Sequence, residues 1–131
     1  MQVVITKVRG DSAASRPLEI VERKGLGHPD TICDALVESL SRALSHVYLE
    51  RFGAILHHNV DKALLVGGLA RPAFGAGETV LPMEIHLPGR ATRHFRGETI
   101  PVDDIAIATT RAWLHDNLRE PLHVVPLHSQ S

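Results

Sequence analysis

The fold is decided by residues 30–53, which read DTICDALVESLSRALSHVYLERFG. Apolar side chains recur there at steps of three and four, which predicts a helix with one buried face; they are Ile32, Leu36, Leu40, Ala43, Leu44 and Val47. Asp30 is the predicted N-cap, because its carboxylate can accept the free amide hydrogens of the first turn. Gly53 predicts that the helix ends after about Phe52.

Shorter elements surround this helix. Residues 2–8 and 18–23 are predicted strands, with a polar loop at 10–16 between them. After the helix, the apolar run 63–69 indicates a buried central strand. The other downstream predictions are a Gly- and Pro-rich loop at 71–78, a strand at 80–87, a helix at 105–118 and a last strand at 122–125.

Together these elements predict one α+β unit over residues 1–131, a two-layer sandwich of a mostly antiparallel sheet with two long helices on one face. The second helix is indicated by side chains that recur at helical spacing, which are Ile105, Ala108, Ala112, Trp113 and Leu118, with Asp103 or Asp104 near its start.

The composition excludes several classes of protein. Of the 131 residues, 14 are Lys or Arg and 15 are Asp or Glu, which gives a formal net charge of −1. Proteins that bind nucleic acid or anionic lipid normally carry a basic excess, so neither partner is expected. A single cysteine, Cys33, cannot form an internal disulfide, and no signal peptide or membrane span is recognisable. A soluble, cytoplasmic protein is the expectation.

The strongest chemical feature is Gly25-Leu26-Gly27-His28-Pro29-Asp30, between a predicted strand and the long helix. Helix N-termini present unpaired amide hydrogens, and preceding glycines let a polyphosphate approach the backbone. His28 could supply a cation or general acid, and Asp30 a magnesium ligand. The spacing matches neither a dinucleotide fingerprint nor a Walker loop. A solvated turn with Asp30 as a helix cap explains the residues equally well.

A second polar cluster is His57-His58-Asn59-Val60-Asp61-Lys62. Adjacent histidines in a strand point to opposite faces, which disfavours a shared metal and favours a strand end that lines a polar cleft. Asp61 and Lys62 are expected to form an ion pair. Cys33 is expected to be a small packed residue, because no basic partner is evident that would make it reactive.

Two long segments resemble a known family when taken together. They are residues 19–34, EIVERKGLGHPDTICD, and residues 52–68, FGAILHHNVDKALLVGG. Both are similar to the N-terminal part of methionine adenosyltransferase (S-adenosylmethionine synthetase), in its archaeal-type branch. The resemblance continues through residues 72–78 and 89–92, and covers about residues 17–118.

The resemblance implies that methionine sulfur attacks C5′ of ATP and that the released triphosphate is cleaved to pyrophosphate and phosphate. Carried over by position, His28 would assist departure of the triphosphate and Asp30 would bind Mg²⁺, with K⁺ as an optional second cation. Substrate binding would fall on Glu22 and Gly27 at the nucleotide side. Asn59, Asp61 and Lys62 would line the methionine side.

Family members are several times longer than this chain, and the resemblance fades after residue 118, leaving 119–131 as a weakly matched tail. The first hypothesis is therefore an N-terminal segment or subunit that uses ATP and L-methionine. It would be active only with the missing segments supplied, and its expected partner is either a second copy in a homo-oligomer or a companion chain that supplies those segments. The second is a shortened, non-catalytic relative that acts as a nucleotide-binding or assembly module.

Overall fold

The computed structural model describes residues 3–7, 9–10 and 12–118. Two α-helices dominate it, α1 at Pro29–Phe52 and α2 at Val102–Asn117, and a single 3-10 turn covers Ala13–Ser15. The two long helices pack against each other. Within the described residues, neither helix combines the length and the apolar character needed to cross a membrane.

Between the helices the chain forms short strands that pair in antiparallel ladders. The pairs are β1 (His58–Asn59) with β6 (Arg90–Ala91), β2 (Leu64–Val66) with β5 (Glu84–His86), β3 (Leu69–Ala73) with β4 (Ala76–Leu81), and β7 (His94–Phe95) with β8 (Glu98–Thr99). The predicted α+β class with antiparallel pairing is confirmed. The described strands pair two by two and do not merge into one wide sheet.

Two groups of buried side chains form the core along α1. The first group joins the C-terminal half of α1 to the start of α2 and contains Leu40, Leu44, Tyr48, Ile100, Val102 and Ala106. The second joins the N-terminal half of α1 to the end of α2 and to β5, and contains Ile32, Leu36, Ile85 and Leu114. One face of a single helix therefore organises the whole described core.

The predicted extent of α1 is confirmed, and Gly53 ends it as expected. Gly53 has a φ of 71°, a left-handed conformation that glycine adopts without strain, and its N–H donates to the Leu49 carbonyl at 2.9 Å. The predicted N-cap was wrong. His28 is the N-cap and Asp30 is already inside the first turn, because Pro29 occupies the first helical position.

The predicted second helix is confirmed. The residues that α2 buries are Val102, Ala106, Thr110 and Leu114, at regular steps of four, whereas Ala108 and Ala112 are exposed. Of the residues that recur at helical spacing in the sequence, Ile105, Trp113 and Leu118 are partly buried against the core.

The two N-terminal strands were predicted wrongly as far as the structure describes them. Residues 3–7 and 18–25 have no regular secondary structure, and Ile5, Leu18, Ile20 and Val21 are each more than 70% exposed. A strand needs a neighbouring backbone to complete its hydrogen bonds, and these segments belong to none of the four ladders. The predicted last strand at 122–125 lies outside the described residues.

The middle of the chain also departs from the prediction. The run 63–69 is not a buried central strand, since it contributes β2 and the start of β3, and Leu64 and Leu69 are more than half exposed. Residues 71–78 are not a loop but most of a hairpin, whose turn at Phe74–Gly75 uses a left-handed Gly75. The predicted strand 80–87 is divided by Pro82 between β4 and β5.

Candidate functional site

The turn before α1 is closed by local hydrogen bonds that fix His28. The His28 N–H donates to the Gly25 carbonyl at 3.1 Å, and the His28 Nδ1 accepts the backbone N–H of Asp30 at 3.1 Å. An imidazole in this position satisfies one of the unpaired amides of the first turn. His28 is therefore both the predicted catalytic residue and the cap of the helix.

The Asp30 carboxylate faces two basic side chains in front of the helix. The Lys24 ammonium donates a hydrogen bond to Asp30 Oδ2, and the His28 Nδ1 lies 4.0 Å from the same oxygen. Lys24 lowers the pKa of Asp30 through this hydrogen bond and its charge. The carboxylate is 58% exposed, which leaves it reachable from solvent. Lys24 was not singled out from the sequence, although it immediately precedes Gly25.

Gly25 and Gly27 stand beside open space. A Cβ built on either residue would meet no described atom within 4 Å, and neither has a positive φ. The conformation of the chain itself therefore does not require glycine at these positions. Glu22 is exposed in the extended segment that leads into this turn.

The second predicted cluster lines a groove of about 420 Å³ between α1 and β1. The lining residues are Val37, Glu38 and Ser41 from α1 and residues 57–61 from the segment that contains β1. The prediction of a strand end that lines a polar cleft is confirmed. Asp61 and Lys62 form the expected exposed ion pair at 2.6 Å, and Lys62 lowers the pKa of Asp61.

The turn before α1 and the groove beside β1 lie at different positions along the axis of α1. Glu38 and Ser41 follow His28 by ten and thirteen residues, which corresponds to about 15–20 Å along the axis of α1.

In the part of the chain that the structure describes, no three His, Cys, Asp or Glu side chains are grouped as metal ligands. Asp30 can therefore supply one hard oxygen donor, and phosphate oxygens, water or other segments would complete a magnesium shell.

Cys33 lies one turn into α1 and is partly buried. Burial raises the pKa of its thiol, and the charges of Asp30 and Asp34 add to this effect, while the backbone of Leu65 partly opposes it. The expectation that Cys33 is a packed, unreactive residue agrees with this environment.

A family model matches most of the length of this chain. The family model of S-adenosylmethionine synthetase (AdoMet synthetase) matches residues 1–125. The chain belongs to the S-adenosylmethionine synthetase family. This match extends beyond the 17–118 stretch on which the resemblance was based.

Curated relatives of the S-adenosylmethionine synthetase family support the assignment. A probable S-adenosylmethionine synthase from Aquifex aeolicus is 58% identical over 117 residues, which cover 89% of this chain and 29% of the relative. S-adenosylmethionine synthases from Aeropyrum pernix and Haloarcula marismortui are 54% and 49% identical over 78% and 82% of this chain. The chain thus spans less than a third of the length of these relatives, as the resemblance to the N-terminal part of the family predicted.

Proposed function

We propose that this chain is the N-terminal segment or subunit of a methionine adenosyltransferase. In the proposed reaction, ATP and L-methionine give S-adenosylmethionine, and the released triphosphate is cleaved to pyrophosphate and phosphate. The observation that carries the proposal is the pairing of His28 with Asp30 at the N-terminus of α1. Membership of the S-adenosylmethionine synthetase family supplies the reaction class.

The start of α1 suits a group whose negative charge grows during the reaction. Free amides and the positive end of the helix favour anions at this point. Open space beside Gly25 and Gly27 leaves room for phosphate oxygens to approach the backbone. We assign His28 to triphosphate departure, where its imidazole would donate a proton or hydrogen bond to the leaving oxygen.

Asp30 is the proposed protein ligand for Mg²⁺, because its exposed carboxylate is the kind of donor that magnesium shares with phosphate groups. When bound, the cation would neutralise charge on the triphosphate. The Lys24 ammonium donates a hydrogen bond to Asp30. Binding of the metal to Asp30 would release this ammonium, which would add a second positive charge in front of the helix. A role for K⁺ rests on the resemblance alone.

The groove beside β1 is the proposed methionine side of the site, with Asn59, Asp61 and Lys62 as its candidate contacts. This assignment rests on the resemblance of residues 52–68 to the family. Glu22 and Gly27 are assigned to the nucleotide side.

Activity would require further segments supplied by a companion chain, and the chain is also proposed to associate with a second copy or with that companion. The relatives are more than three times as long as the stretch they share with this chain. Several described apolar side chains also stand in solvent, as Ile5 (91%), Ile20 (87%) and Phe74 (110%) do, and a partner surface would cover them. The cytoplasm, where ATP and methionine are available, is the proposed location.

The test compares the chain alone with a completed enzyme. The completed enzyme is this chain together with the segments it lacks, which come either from a companion chain or from the remaining part of the Aquifex aeolicus relative. S-adenosylmethionine is measured from ATP and methionine with magnesium. We expect no product from the chain alone and turnover from the completed enzyme. A completed enzyme that binds ATP but makes no product would favour the non-catalytic binding module.

A further inference from the structure

The imidazole of His58 is held at both ring nitrogens. Its Nδ1 lies 3.0 Å from the Leu56 carbonyl oxygen, and its Nε2 lies 2.9 Å from the Ser41 hydroxyl on α1. A carbonyl can only accept, so Nδ1 carries the proton, and in the neutral ring Nε2 accepts from Ser41. The ring also contacts the fully buried Tyr48, with 5.8 Å between ring centroids.

The residue before His58 is fixed by a second set of bonds. Thr92 donates to the His57 carbonyl through its N–H at 3.1 Å and through its hydroxyl at 2.9 Å. The Tyr48 hydroxyl donates to the Thr92 carbonyl at 2.9 Å. Tyr48 therefore supports both histidines of the pair, one through ring contact and one through Thr92.

These contacts matter because the strand they hold is very short. The ladder of β1 with β6 contains only the pairs His58–Ala91 and Asn59–Arg90. Two residue pairs fix the position of a strand poorly, whereas the bond from His58 to Ser41 ties β1 directly to α1. Ser41 and His58 both line the groove, so this bond sets the distance between its two walls.

We propose that His58 is a positioning residue, whose imidazole, bonded to Ser41 and Leu56, holds Asn59 and Asp61 in place on the wall of the groove. The inference rests on the proposed function of the groove as the methionine side. It assigns no contact between His58 and the reacting atoms. The bonds of His58 pre-organise the groove, so that its wall already has the binding conformation when methionine binds.

The first measurement uses ¹⁵N NMR of the 131-residue chain and needs no activity. The His58 ring should be protonated at Nδ1 and not at Nε2. His58→Ala and Ser41→Ala should shift the backbone amide signals of residues 59–61, while Ser41→Thr, which keeps the hydroxyl, and His46→Ala, at an exposed position on α1, should leave them in place. An Nε2-protonated ring, or unchanged amides in His58→Ala, would overturn the proposal.

The second measurement is steady-state kinetics of the completed enzyme. His58→Ala and Ser41→Ala should raise the KM for methionine at least fivefold, with the KM for ATP within twofold, and Ser41→Thr should restore the wild-type value. Equal changes in both KM values, or none, would overturn the positioning role. A wild-type enzyme without product would instead refute the proposed function, and the NMR result would still decide whether His58 orders the wall.

Discussion

The His28 Nδ1 accepts the backbone N–H of Asp30 at 3.1 Å, so the proposed catalytic imidazole is also the cap of the helix that carries the proposed metal ligand. This bond orients the His28 ring, whereas the Asp30 carboxylate is held by Lys24. A substitution of His28 removes two functions together unless the new residue can also cap the helix. Asparagine is such a residue, since it caps helices well but cannot supply an imidazole.

The first prediction isolates the cap. His28→Ala should lower the free energy of unfolding by about 1 kcal/mol, the usual cost of losing an N-cap, and His28→Asn should leave it nearly unchanged. Urea denaturation of the 131-residue chain measures both. Equal stability of wild type and His28→Ala would show that the bond to Asp30 does not stabilise α1.

The second prediction concerns the packing of α1 on α2. Leu44 is completely buried in the first core group, and Leu49, on the same helix, is 48% exposed. Leu44→Ala should cost about 2–5 kcal/mol, because it removes buried methyl groups and leaves a cavity. Leu49→Ala is the matched control and should change the stability by less than about 1 kcal/mol. Similar losses in the two variants would contradict the described core.

The third prediction follows from the raised pKa of Cys33. The thiolate is the reactive form, so at pH 8 the folded chain should be alkylated by iodoacetamide more slowly than the same chain in urea. The folded rate should rise as pH is increased through the raised pKa, because deprotonation then supplies the thiolate. A folded rate equal to or above the unfolded rate at pH 8 would contradict the described environment.

A fourth prediction concerns the apolar side chains that stand in solvent. Because Ile5, Ile20 and Phe74 are exposed, the chain without its partner segments should self-associate as its concentration rises. Analytical ultracentrifugation measures this, and Ile20→Lys should weaken the association. A monomer at all concentrations, with no difference between wild type and Ile20→Lys, would contradict it.

Some elements of the fold could be predicted from the sequence and others could not, for physical reasons. Helix α1 could be predicted because its hydrogen bonds are local and its buried stripe repeats over 24 residues. The extended segment 18–25 could not, because strand formation depends on a partner backbone that no local pattern specifies. The hairpin of β3 and β4 was concealed by Pro72, Gly75 and Gly77, which are typical of loops but also fit an exposed edge and a tight turn.

For the candidate site, the sequence placed His28 and Asp30 together because both belong to one turn. The role of Lys24 and the link between Ser41 and His58 depend on side-chain contacts across the fold. Ser41 and His58 are seventeen residues apart and on different elements. Spacing rules for a single helix or strand do not describe such a pair.

The central claim is that the turn before α1 holds the triphosphate, and turnover against magnesium concentration tests it most directly. The completed enzyme is measured as wild type, His28→Asn and Asp30→Asn. His28→Asn should lower kcat by about 10²-fold or more with little change in the KM for ATP, since proton transfer acts in the transition state. Asp30→Asn should require about tenfold more magnesium for half-maximal turnover, because a neutral amide replaces a carboxylate ligand. Three superimposable curves would contradict the claim and leave His28 and Asp30 as the cap and first turn of a helix.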